Sequence, residues 1–195
     1  MAGLVPAIHE FLSFKVEFVD ARHEAGHDEE KVEVDAMKLA ALTGKDNYFE
    51  DFVPGDVMRH ARGKTVEAIE NVILTNLVMN TAQAHFNEHA MKNNRFGQRL
   101  TFGGVTLALI IGLSAQDTAE NALAELSLDK IRFSHPVFHG DTLYAFTEVL
   151  AVGPSDREDA GIVHFRHWGV NQEEKIVFEG ERRVLIKRRT HWAER

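Results

Sequence analysis

The sequence predicts an α+β domain in which one long apolar helix is wrapped by a curved antiparallel β-sheet. Two observations carry this. The stretch "GGVTLALIIGLSAQ", residues 103–116, is apolar nearly all round its helical wheel, and a helix with no polar face must be covered on every side. It is too short to cross a bilayer, so protein has to wrap it. The segments after it, "DKIRFSHPVFHGDTLYAFTEVLAV", "GIVHFRHWGV" and "KIVFEGERRVLIKRR", read as β-strands joined by "GPSDREDA" and "NQEEK". In the last of them Val177, Glu179, Glu181, Arg183 and Leu185 share one face, while Ile176, Phe178, Val184 and Ile186 lie on the other. Such alternation suits an antiparallel sheet with one covered face.

A buried helix cradled by a rolled antiparallel sheet is the hotdog arrangement. An α+β sandwich of another topology and a small barrel with an internal helix are the competing readings. With 195 residues, the chain is expected to hold one domain plus an extension. We divide it into a weakly organised N-terminal extension, residues 1–45, and a hotdog domain, residues 46–190. Within the extension, "FLSFKVEFVD" reads as a strand and "VDAMKLAAL" as a short helix ended by Gly44. Aromatics followed by a Pro-Gly turn, "NYFEDFVPGD", open the domain. A helix follows from Thr65, its expected N-cap, with Glu67 in the first turn. Val66, Ile69, Ile73 and Leu77 recur at helical spacing and are expected to face the core. Three residues further along that stripe stands a polar residue, Asn80. The text beyond it, "NTAQAHFNEHAMKNNRFGQRL", reads as irregular or short-helical.

Composition excludes several classes. There is no cysteine, hence no disulfide framework, iron–sulfur cluster or thiol nucleophile. The net charge of −8 argues against broad attraction to nucleic acid or an anionic membrane. The opening "MAGLVPAIHEFL" lacks a basic n-region and Pro6 breaks its apolar run, so no signal peptide is expected. The expected location is cytoplasmic.

"HEAGH", residues 23–27, matches the H-E-x-x-H pattern of zinc proteases. With 11 His and 19 Glu in the chain, one such match arises by accident in roughly one chain in twenty. Acidic and basic neighbours and Gly26 between the histidines speak for a solvated polar linker, since glycine costs a helix about 1 kcal/mol relative to alanine. No metal site is expected.

The chemistry is expected in "NTAQAHFN", residues 80–87, together with "RLTFGGVTLALIIGL". Asn80 and His85 are polar groups aimed toward an apolar region, where each needs a partner. A capping asparagine and a satisfied core histidine would also account for them. Gly103 and Gly104 open the buried helix. Its first N–H groups have no intrahelical acceptor, and the helix dipole makes that end attractive to negative charge. Glycine lets a ligand approach closely, so a thioester enolate could be stabilised there as in an oxyanion hole.

At these residues the sequence resembles the MaoC-like, R-specific enoyl-CoA hydratases and dehydratases of the hotdog fold. The resemblance runs from about Asn47 to about Lys187 on "YFEDFVPGD", the pair Asn80 and His85, "RFGQRLTFGGVTLALIIGL" and "IRFSHPVFHGDTL". The combination "NTAQAHFN" and "FGQRLTFGG" looks most like the branch acting on mesaconyl-CoA or β-methylmalyl-CoA. The general family has an Asp where this chain has Asn80, and usually a His or Tyr where it has Phe102; the mesaconyl branch shares the Asn. The resemblance implies reversible hydration of an enoyl-CoA thioester. His85 would be the general acid–base, and Asn80 would hold the water by its side-chain oxygen. Phe102, Gly103 and Gly104 would contact the thioester. It implies no cofactor, CoA being part of the substrate, and a homodimer or higher homo-oligomer. The basic run "RRVLIKRR" reads either as a CoA-phosphate contact or as an exposed charged strand face. A non-catalytic acyl-CoA-binding protein and a hotdog thioesterase are the rival functions. No Asp or Glu follows Gly104 before Asp117, which argues against a thioesterase.

Overall fold

Strand order places the site. In the computed structural model, which describes residues 38–39 and 47–193, the sheet runs β1-β2-β4-β5-β6-β3. The strands are β1 (Lys38–Leu39), β2 (Val57–Thr65), β3 (Ala122–Arg132), β4 (Thr142–Pro154), β5 (Ala160–Val170) and β6 (Ile176–Lys187). The five long strands are antiparallel, and β1 lies parallel to β2, pairing Lys38 with Met58 and Leu39 with Arg59. The helices are α1 (Ala68–Leu77), two short turns α2 (Gln83–Phe86) and α3 (Glu88–Lys92), the long α4 (Gly103–Thr118) and a C-terminal turn α5 (Arg189–Trp192). Helix α4 packs on β4, β2, β5 and β6. This is the hotdog fold. Register shifts in β2 between Arg59 and Gly63, in β4 between Val149 and Ala151, and repeatedly in β3 are bulges that bend the sheet around the helix.

The strands depart from the sequence reading in two places. Strand β3 begins at Ala122, seven residues before the expected "DKIRF", and ends at Arg132; a loop then separates it from β4. Its opening "ALAEL" has few β-branched or aromatic residues, and pairing with β6 holds it in place. Lys38 and Leu39, expected in a helix, form β1, since β2 offers them an open edge. The rest of that expected helix, "FLSFKVEFVD" and "HEAGH" lie outside the described residues.

Two apolar clusters line the inner face. One joins Phe52, Met58, Val149, Val163, Phe165, Val184 and Ile186. The other joins Val66, Ile110, Val137, Leu143, Ala145, Val177 and Phe178. Ile110 of α4 fills the space over Gly169 of β5, where any Cβ would collide with it. Between the clusters the same strands carry a polar belt of His60, Thr147, His167 and Arg182, met by Asp117 and Thr118 in the last turn of α4. Helix α4 is not covered on every side by its own chain. Ala108 and Gly112 are exposed, and with Leu109, Leu113 and residues 61–64 of β2 they line a cavity of about 340 Å³.

Candidate active site

Helix α1 sets the site's frame, and it is rotated relative to the expected orientation. Ile69, Ile73 and Leu77 are 62%, 49% and 72% exposed, whereas Asn71 and Thr75 are fully buried. Its N-cap is Glu67, in a capping box with Glu70, and not Thr65. Thr65 stays in β2, its hydroxyl bonded to Thr142 of β4.

The chain leaves α1 through Met79, which holds a left-handed φ of 55°. The Asn80 N–H donates to Thr75 O at 2.8 Å, and Asn80 Oδ1 accepts the Ala82 N–H at 3.0 Å, an Asx turn. That turn launches α2, which carries His85. The Asn80 oxygen, expected to hold water, thus accepts one backbone hydrogen bond and keeps its second lone pair. Its Nδ2 has no partner among the described residues.

His85 is tied to the strand-like segment before α4. Its Nδ1 lies 3.0 Å from Leu100 O, and Leu100 N–H donates to Ala84 O at 3.0 Å. A carbonyl only accepts, so Nδ1 carries the proton and the neutral ring keeps its lone pair on Nε2. The imidazole sits 5.6 Å, ring centre to ring centre, from Phe102, the N-cap of α4. His85 and the helix tip thus meet within one chain.

At that tip the Val105 and Thr106 N–H groups bond to Phe102 O, which leaves the Gly103 and Gly104 amides ahead of the first helical hydrogen bond. Both glycines have a steric cause. A Cβ on Gly104 would strike the Phe102 ring, and one on Gly103 would lie 3.2 Å from the Phe133 ring. Asn80, His85, Phe102, Gly103 and Gly104 are all half-buried, as a site that admits a ligand requires. Nearby, burial and the Arg99 charge hold the His139 imidazole below its usual pKa, against an opposing pull from Glu88.

Sequence reasoning missed Asn71. Its Oδ1 accepts the Phe102 N–H at 2.8 Å and its Nδ2 donates to His85 O at 3.3 Å. The available signal was the pair Asn71 and Thr75, polar residues one turn apart on the face opposite the apolar stripe.

Other candidates do not assemble an open site. Asp117, His60 and Thr147 are linked as carboxylate, imidazole and hydroxyl by contacts of 2.6 and 2.7 Å, the order of a hydrolytic triad. The Thr147 hydroxyl is fully buried and its second neighbour is His167 Nδ1 at 2.7 Å, so no substrate reaches it. Asp117 also stands fourteen residues along α4 from Gly103, about 20 Å at helical rise. The C-terminal basic run is engaged within the chain: Arg182 with Glu125 and Thr118, Arg183 with Asp129, Arg188 with Glu50, Arg189 with Asp51. His164 bonds Glu181 at 2.9 Å on the sheet surface. No cluster of metal-ligating side chains occurs among the described residues, and no helix among them is long and apolar enough to cross a membrane.

The model of the mesaconyl-CoA hydratase family matches residues 19–188. The chain belongs to the mesaconyl-CoA hydratase family. It is 36% identical over 127 residues to the β-methylmalyl-CoA dehydratase of Chloroflexus aurantiacus, covering 65% of this chain and 36% of that protein. It is 32% identical over 159 residues to the mesaconyl-CoA hydratase of Haloarcula marismortui, covering 73% and 42%. Among solved structures, the MaoC-like dehydratase from Rhodospirillum rubrum superposes with a TM-score of 0.63 at 26% identity, covering 73% of this chain and 97% of that one. The chain thus spans less than half the length of these two curated relatives.

Proposed function

We propose that this protein reversibly hydrates an enoyl-CoA thioester, a branched C5 dicarboxylic one such as mesaconyl-CoA. The observation that carries the reading is His85: its Nδ1 is committed to Leu100 O, so Nε2 is the bare nitrogen, and the ring packs on Phe102, the N-cap whose following amides have no intrahelical acceptor. The two curated relatives above, named for mesaconyl-CoA and β-methylmalyl-CoA, support the choice of substrate.

In the hydration direction Nε2 takes a proton from water as the water oxygen bonds to the β-carbon. The displaced π electrons move to the thioester oxygen, where the Gly103 and Gly104 amides stabilise the enolate. The imidazolium then returns its proton to the α-carbon, and His85 is neutral again. Dehydration is the reverse. With its oxygen held by Ala82 N–H, Asn80 contributes its Nδ2–H, donated to the oxygen of the water or of the leaving hydroxyl. These steps need no cofactor.

A homodimer, in the cytoplasm, completes the proposal. It is supported by the apolar residues α1 exposes and by β3, an edge strand exposing Leu126 and Ile131. The test is turnover of mesaconyl-CoA and crotonyl-CoA, followed by loss of enoyl-thioester absorbance. His85→Ala is expected to lower kcat by about 10²–10⁴-fold, and full rates in that variant would remove His85 from the mechanism. The carboxamide of Asn80, which cannot act as a base, favours one alternative, a non-catalytic acyl-CoA-binding protein. Calorimetric binding of the thioester without turnover by the wild type would select it.

A further inference from the structure

The buried side of α1 is hydrogen-bonded to the Asn80 turn, to the His85 turn and to Phe102 at the tip of α4. Thr75 O holds the Asn80 N–H, and the Thr75 hydroxyl donates to Asn71 O at 2.7 Å. One turn back, the Asn71 side chain spans the His85 turn and the tip of α4, segments fourteen and thirty-one residues away along the chain.

We infer that Asn71 is a positioning residue, whose carboxamide sets the separation between the His85 imidazole and the amide tip of α4. This rests on the reading of the site given above. A carboxamide is planar and rigid, with its acceptor oxygen and its donor nitrogen bonded to one carbon. Engaging Oδ1 on Phe102 N–H and Nδ2 on His85 O therefore ties two loops to one small plate. A leucine of similar volume would avoid the cost of burying an amide. Three apolar residues of this same helix face outward while the amide is inside, so apolar packing is not what the position supplies. Reaction geometry is sensitive to such a tie, because a misplacement of about 1 Å can cost on the order of 100-fold in rate.

Two variants separate positioning from folding. Asn71→Leu keeps the volume and deletes both bonds. Asn71→Asp keeps an acceptor for Phe102 N–H and, while ionised, loses the donor to His85 O. Protonating that carboxyl restores an O–H donor. For Asn71→Leu, kcat should fall about 100-fold with KM nearly unchanged. Asn71→Asp should be similarly slow at alkaline pH. Its rate relative to wild type should then climb about tenfold per unit of falling pH until the carboxyl is protonated. Circular dichroism fixes the folded fraction in each case, and a purely structural role gives no such recovery at constant folded fraction. A second readout needs no turnover. Nitrogen-15 spectra of the His85 ring should show the Nδ1–H tautomer in wild type and a changed tautomer balance in Asn71→Leu, with the His164 signals unmoved. Should Asn71→Leu fail to fold, Asn71→Asp serves in both measurements. A folded variant with wild-type kcat, or with unchanged His85 signals, overturns the inference. If the wild type hydrates no thioester but the ring signals move as stated, the hydratase reading fails while the positioning role stands.

Discussion

Helix α1 fully buries only polar side chains, whereas helix α4 buries apolar ones along with Thr106 and Ser114. Helix α4 turns Val105 and Ile110 into the sheet and closes with Asp117 and Thr118 on a polar belt. Helix α1 turns Asn71 and Thr75 inward and leaves Ile69, Ile73 and Leu77 outside. The difference follows from what each helix lies against. The inner face of the sheet offers α4 two apolar clusters, whose burial stabilises at about 25 cal/mol per Å². What α1 lies against is the backbone of two loops, whose N–H and C=O groups need partners once water is excluded. An apolar stripe on a helix therefore marks a side that seeks cover, and cover need not come from the helix's own chain.

The first way to test the contrast is to cut into α4. Ile110 is fully buried, packed in the second apolar cluster and over Gly169. Ile110→Ala removes transfer energy and leaves a cavity, for an expected loss of about 2–5 kcal/mol in urea unfolding. A loss below about 1 kcal/mol would mean that α4 is not the core element this structure makes it.

The second acts on the polar belt where α4 ends. Burial holds the His167 imidazole well below its usual pKa, with Arg182 and His60 adding in the same direction. The unfolded chain therefore takes up a proton near pH 6.5 while the folded chain does not. The unfolded state then binds more protons, so stability falls as pH drops below about 6.5, by up to about 1.4 kcal/mol per pH unit, until the folded-state pKa is reached. His167→Gln removes that titration. Its stability relative to wild type should improve steadily as the pH is lowered from neutral, measured by urea unfolding across the range. A pH-independent difference would show that this ring does not stay neutral in the fold.

These two regions also mark what the sequence disclosed. Helix α4 and strands β4 to β6 were legible because their patterns answer to the apolar clusters on the inner face of the sheet. His85, Gly103 and Gly104 could be singled out as polar or small residues where a core pattern asked for others, and the structure brings the His85 ring to the helix tip. The orientation of α1 was not legible. Periodicity gives the angle between apolar and polar faces, but not which of them meets the chain. Nor could the sequence disclose that Asn80 spends its oxygen on Ala82 N–H, since an Asx turn depends on the left-handed exit at Met79. Strand β3 was half missed because its first residues owe their place to β6 and little to propensity.

The smallest expected effect is the most discriminating. Ile73 is half exposed in the centre of the outward stripe, with Ile69 and Leu77 one turn to either side and Val78 and Met79 beyond. About half of the Ile73 surface is already exposed in the folded monomer, so Ile73→Ser should lower the unfolding free energy at low protein concentration by no more than about 1 kcal/mol. A contiguous apolar patch on one helix face is also a place where a second copy could seat. In the proposed homodimer the same change, present in both subunits, should cost about 2 kcal/mol of association, a roughly thirtyfold weaker Kd by sedimentation equilibrium. A folding loss of about 2 kcal/mol or more would place the stripe in the core of its own chain and erase the contrast with α4. Unchanged folding with unchanged association would leave α1 facing outward and move the dimer contact to the free edge of β3, where Leu126 and Ile131 are exposed.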